Sequence, residues 1–94
     1  MGQISYGNQT ASFEIEDRTL AHVEAVVLAK LRRNESFAMT IEAEHGGRDT
    51  IWLSASGQLR FTYTSERPPI NRAWLDLLID TANSTSGLRI VPEP

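Results

Sequence analysis

The chain has 94 residues, of which 40% are apolar and 22% charged, with a formal net charge of −3 and no cysteine. Without cysteine there is no disulfide framework, no thiolate nucleophile and no cysteine-ligated zinc site, and the negative balance disfavours a polyanionic partner. A chain this long hides roughly 60–68% of its unfolded surface on folding, so the expectation is a single α+β domain over residues 1–94, with loose ends at 1–3 and a flexible tail at 92–94.

Residues 3–6 and 11–15 alternate apolar and polar around Gly7-Asn8, which predicts an opening β-hairpin. Asp17 then offers an N-cap to a helix over 18–33. Glu14, Glu16 and Asp17 at its start and Lys30, Arg32 and Arg33 in its last turn complement the helix dipole, and Asn34 supplies a stop. From 36 to 44 the period changes to two, with Phe37, Met39, Ile41 and Ala43 on one face and Ala38, Thr40, Glu42 and Glu44 on the other. A turn at 45–48, a strand over 50–54, a turn at 55–58 and a strand over 59–64 complete an expected antiparallel meander whose last strand turns Leu59, Phe61 and Tyr63 inward. Pro68 and Pro69 break it. Asn71 caps a second helix over 72–83, residues 84–87 stop that helix, and 88–91 form a closing strand. The order is ββ-α-βββ-α-β, which predicts an antiparallel or mixed sheet with two helices on one face.

The first ten residues have neither the basic nor the apolar region of a signal peptide, and no apolar run reaches the ~20 residues of a membrane span. Gly2 lacks the downstream Ser or Thr of a myristoylation motif, where Tyr6 stands instead. The triplets at Asn8, Asn34 and Asn83 are glycosylation acceptors only in a secretory pathway. A cytoplasmic protein without membrane attachment is the expectation.

Few residues suggest catalysis. His22 lies opposite the stripe of Leu20, Val23, Val27 and Leu31 on a helical wheel, so it reads as a solvated surface residue; His45 sits in a Gly-Gly turn. There is no G-x-S-x-G elbow, and Glu44, His45 and Asp49 match no metal-ligand spacing. Gly46-Gly47-Arg48 lacks the Gly-Lys-Ser/Thr of a phosphate loop and precedes a strand. Asp76 and Asp80, one helical turn apart, repel mildly and invite a nearby arginine, or serve only solubility. No catalytic, metal or cofactor-binding residue is therefore assigned, and no cofactor is expected.

Binding surfaces are easier to name. Eight arginines accompany a single lysine, Lys30; arginine's planar fork suits carboxylates, phosphates and aromatic stacking, although a compositional bias of the genome gives the same count. Trp52 falls on the outward face of the expected meander together with Arg60, where it would stack a base or anchor a protein contact, unless a bulge or the chain's end covers it. Glu42 and Glu44 on that face oppose a polyanion. In the first helix Ala25, Val26 and Ala29 widen the apolar arc, and Glu24 falls inside it, needing solvent or an arginine. Such a helix has a second contact surface, most economically a two-fold homodimer, or else lies deep in the core. Trp52, Arg60, Val26, Arg32, Arg33 and Arg48 are the candidate interaction residues.

Residues 15–23 (IEDRTLAHV), 29–37 (AKLRRNESF), 51–53 (IWL), 71–78 (NRAWLDLL), 86–88 (SGL) and 91–94 (VPEP), with Tyr6-Gly7 near the start, carry a resemblance over almost the whole chain. They resemble a family of short, uncharacterised actinobacterial proteins whose members often bear the name ATP-dependent DNA ligase. That name implies a lysine nucleophile in a K-x-D-G motif, whereas the only lysine here stands in Lys30-Leu31-Arg32-Arg33. The expectation is a non-catalytic binding or interaction module that associates with itself. The alternative is a DNA-associated protein using Trp52 and the arginines.

Overall fold

Six strands and two helices follow the order ββ-α-βββ-α-β in the computed structural model, which describes residues 1–7, 11–42, 46–66 and 68–94. The α+β class read from the sequence is the class of the fold. Strands β1 (Gly2–Tyr6) and β2 (Ala11–Ile15) form the expected antiparallel hairpin, with Ile4 opposite Phe13. Helix α1 spans Asp17–Arg32 and helix α2 spans Arg72–Ala82. The remaining strands are β3 (Phe37–Glu42), β4 (Arg48–Leu53), β5 (Leu59–Thr62) and β6 (Leu88–Arg89). Ala43, Glu44 and His45 lie outside the described residues, and with them the inward place expected for Ala43 and the turn placed at His45.

The helix ends follow local chemistry. Asn71 caps α2 as expected, its side-chain oxygen accepting from the N–H groups of Ala73 and Trp74 at 3.0 and 3.3 Å. At the end of α1, Asn34 takes φ 61°. The Asn34 N–H donates to the Leu31 carbonyl at 3.0 Å and the Glu35 N–H to the Lys30 carbonyl at 3.1 Å, the paired bonds of a Schellman stop. Asp17 is not the cap. It is the first helical residue, after Glu16. Its Oδ2 instead accepts the hydroxyls of Thr64 and Ser65 at 2.8 and 3.0 Å. The bond from Thr64, above all, holds its carboxyl below the usual aspartate range.

The meander does not form. β4 pairs with β3 as expected, but β5 leaves it and pairs antiparallel with β1, while β6 pairs parallel with β3. The result is two three-stranded sheets, ordered β2-β1-β5 and β4-β3-β6. The pairing makes β1 the central strand of its sheet and brings Phe61 opposite Ile4 and Leu59 opposite Tyr6 on the inner face. The inward assignment of Leu59, Phe61 and Tyr63 survives the change of partner, for all three pack against the core. Which face a residue occupies is set by parity along its own strand; the choice of neighbour is not.

The two helices lie side by side and parallel. His22, near the start of α1, meets Asn71 before α2, while Lys30 near its end reaches Asn83 just past α2. Each helix thus leads into one of the two parallel strands, β3 and β6. α1 packs on β1 and on α2, and α2 packs on β3 and β6. The core draws Ile4 and Ile15 from the first sheet, Met39 and Leu53 from the second, and Val23, Val27 and Leu78 from the helices.

This arrangement corrects the reading of α1. Val26 is only 2% exposed and Ala21 1%, so Val26 is not a surface residue, whereas Ala25 is half-buried and Leu28 and Ala29 are exposed. α1 lies deeper than a one-sided amphipathic helix would. Glu24, inside the apolar arc, accepts a hydrogen bond from the Tyr63 hydroxyl at 2.6 Å, which meets its need for a polar partner.

Candidate functional site

The outer face of the β4-β3-β6 sheet carries the most conspicuous surface side chain. Strand alternation places Arg48, Thr50 and Trp52 of β4 there, beside Glu42, Thr40 and Ala38 of β3 in register. Trp52 is 60% exposed, so neither a bulge nor the chain's end covers it. Its neighbour Ala38 is too small to shield it. Thr40 and Thr50 join through their hydroxyls at 3.1 Å, and Arg89 of β6 reaches Glu42 at 3.5 Å.

Beside Trp52 runs a shallow groove of about 270 Å³, whose polar lining includes Lys30, Ser36, Asn83, Ser84 and Thr85. Gly87 makes its wall possible. At φ 83°, it sits so close to β3 that a Cβ would stand 2.4 Å from the Ala38 carbonyl oxygen; only glycine meets both demands. Lys30 donates to Asn83 Oδ1 at 2.6 Å and to Glu35 Oε1 at 3.1 Å. The bond from Lys30 is the largest cause that lowers the Glu35 carboxyl, with Arg33 adding a second cation at 3.1 Å.

The other candidate residues do not gather here. Arg60 is on β5, opposite Ser5 of β1, and belongs to the outer face of the first sheet with Gln3, Ser12 and Thr62. It is therefore not the neighbour of Trp52 that the meander implied. Arg32 and Arg33 are exposed at the end of α1, and Arg48 is exposed at the start of β4, opposite Glu42. The arginine invited by Asp76 and Asp80 is Arg72, 4.0 Å from Asp76 on the solvent side of α2. No group of three or more His, Asp or Glu side chains is arranged to hold a metal among the described residues.

Residues 1–93 match the model of a family described as a domain of unknown function, DUF7882. The chain belongs to the DUF7882 family. No curated protein and no solved structure matches it at a significant level.

The DUF7882 chain also contains a polar cluster that the sequence reading missed. His22, expected at the surface, is fully buried. Its Nε2 accepts the Asn71 backbone N–H at 2.7 Å, and its Nδ1 lies 2.7 Å from the Arg18 carbonyl oxygen. An amide N–H can only donate and a carbonyl can only accept, so the ring is neutral with its proton on Nδ1. The ring also packs on Trp74, with centroids 4.5 Å apart. The wheel put His22 opposite the apolar stripe, and α2 packs on that side.

Around His22 the closing segment of the DUF7882 domain is fastened. Trp74 Nε1–H donates to the Val91 carbonyl at 2.8 Å, Arg18 Nε–H to Glu93 Oε1 at 2.8 Å, and Asn71 Nδ2–H to Glu93 Oε2 at 2.8 Å. Glu93, within the tail expected to be flexible, is thus tied to the starts of both helices. Arg18, followed by Asn71, holds its carboxyl down at about 2, against an ordinary 4.5. A depressed carboxylate stabilises the fold above its unfolded pKa and loses that contribution as pH falls through the folded one. The melting temperature of the wild type should therefore fall as pH drops from 4.5 toward about 2. Glu93→Gln should melt lower at neutral pH and show a flatter acid limb; parallel limbs in a calorimetric pH series would show that the clasp is not the source.

Proposed function

We propose that this DUF7882 domain is a non-catalytic interaction module whose contact face is the outer face of the β4-β3-β6 sheet, centred on Trp52. The observation that carries the reading is the 60% exposure of Trp52 on an edge strand. A tryptophan brings a large rigid apolar area with little entropy to lose on binding, which makes it a frequent anchor of protein contacts. Beside it the groove offers hydroxyls and an amide for a polar rim.

A protein partner fits better than nucleic acid. A nucleic-acid binder concentrates its cations on one face or stripe. Here Arg60 is on the other sheet, Arg33 is paired with Glu35, Arg48 stands opposite Glu42, and the net charge is −3. Lys30, the only lysine, spends its protons on Asn83 and Glu35, an arrangement that speaks against service as a ligase nucleophile. Among the described residues no helix is long and apolar enough to cross a membrane.

A photo-crosslinking amino acid placed at position 52 in the producing cell should yield a discrete protein adduct, whereas the same probe at position 60 should not. Equal labelling at both positions, or none at 52, would defeat the proposal. Trp52→Ala should keep its melting temperature within a few degrees, since exposed substitutions change stability by about 0.5 kcal/mol. A large loss would place the indole in the core. Labelled single- and double-stranded DNA at low salt should show no salt-sensitive binding; tight binding lost on Trp52→Ala would favour the nucleic-acid reading instead.

A further inference from the structure

We propose that the partner at this face is a second copy of the chain, joined by antiparallel pairing of β4 with its two-fold mate; this inference rests on the reading of Trp52 as the contact centre. The two edges of the second sheet are treated differently. At β6 the Thr81 hydroxyl engages both the N–H and the carbonyl of Arg89, at 3.0 and 3.1 Å, and so caps the open edge. β4 is the opposite edge, and four of its six residues are exposed. Among the described residues no strand pairs with it on the side away from β3. Alternate residues of an edge strand turn their N–H and C=O groups outward, which makes such a strand a template for another.

The sequence of β4 selects a register. In a two-fold antiparallel pair, residues facing each other must share a face, so the dyad passes through a single residue. With Thr50 on the dyad, Arg48 of each copy lies opposite Trp52 of the other, on the exposed face, and Asp49 lies opposite Ile51. Both tryptophans then meet a guanidinium, a favourable cation–π arrangement across strands. Moving the dyad to Asp49 sets two carboxylates against each other. Moving it to Ile51 sets Asp49 opposite the buried Leu53 and leaves Arg48 without an aromatic mate. The other edges have no such self-complement: β5 has four residues, and β2 contains neither a tryptophan nor an arginine.

Sedimentation velocity of the full chain over a concentration series tests the pairing. The wild type should show a monomer–dimer equilibrium, and Trp52→Ala or Arg48→Ala should each raise the dissociation constant about tenfold or more. The exchanged double variant, Arg48→Trp with Trp52→Arg, rebuilds both pairs with their ends reversed and should regain most of the affinity. A dimer unchanged by either single variant, or a double variant no tighter than the singles, would overturn the β4 register. A monomer throughout would overturn the second copy as partner. In that case an adduct between position 52 and a different protein would leave the Trp52 contact face standing, whereas no adduct would remove both.

Discussion

Val26→Glu should abolish the folded state. The residue is 2% exposed in the middle of α1 and belongs to the core shared by both sheets and both helices. A carboxylate there replaces a side chain almost sealed from solvent, and burying an unpaired charge is among the few single changes that cost more than ~4–5 kcal/mol. Small domains are stable by only about 5–15 kcal/mol. The expected circular dichroism melt is non-cooperative from the lowest temperature. Val26→Ala is the control, since it removes two methyl groups and adds no charge. It should fold with a loss of about 1.5–3 kcal/mol. A folded Val26→Glu protein would mean that this side of α1 faces solvent, which is the arrangement the sequence pattern alone suggests.

Gly87→Ala should be the most damaging of the small substitutions. Two separate penalties combine at this position. The backbone has φ 83°, where a side chain costs roughly 1–2 kcal/mol, and a Cβ would lie 2.4 Å from the Ala38 carbonyl oxygen and 3.1 Å from the Ala38 Cβ. Relief requires β6 to move away from β3, and β6 has only two residues with which to hold on. A loss of about 2–4 kcal/mol is expected, a fall in melting temperature of at least ~10 °C for a domain of this size. Gly46→Ala separates the two penalties, because Gly46 has φ 90° but nothing within 4 Å of its Cβ position. It should show the backbone strain alone. Equal losses for the two variants would mean that the close approach of residue 87 to β3 is not tight.

The first prediction concerns a place where the sequence pattern and the fold part company, the second a close approach that only the tertiary structure creates. The elements themselves were legible. Period-two alternation marks β1 to β5, Asn71 announces α2, and Asn34 ends α1, because alternation, caps and left-handed stops are set by residues within a turn or two of one another. The exposure of Trp52 was half legible: parity put it on the outward face, but only the structure shows that nothing covers it. His22 and Val26 were misread for one reason. A helical wheel reports one stripe, and α1 is packed on more than one side. Arg60 was misplaced for another, since it followed β5 into the sheet of β1, and local pattern does not choose a strand's neighbour.

What the sequence by itself determined, then, is the class, the order of the elements and the inner faces of β3, β4 and β5, all consequences of local sterics and short-range periodicity. The tertiary structure decided the pairing of β5 with β1 and of β6 with β3, the parallel seating of α2 on α1, and the clasp that joins Arg18, Asn71 and Glu93. Those choices depend on which distant apolar faces bury each other most completely and on which polar groups can then be satisfied. Competing pairings of the same strands share the same local pattern, and only packing of the whole chain tells them apart.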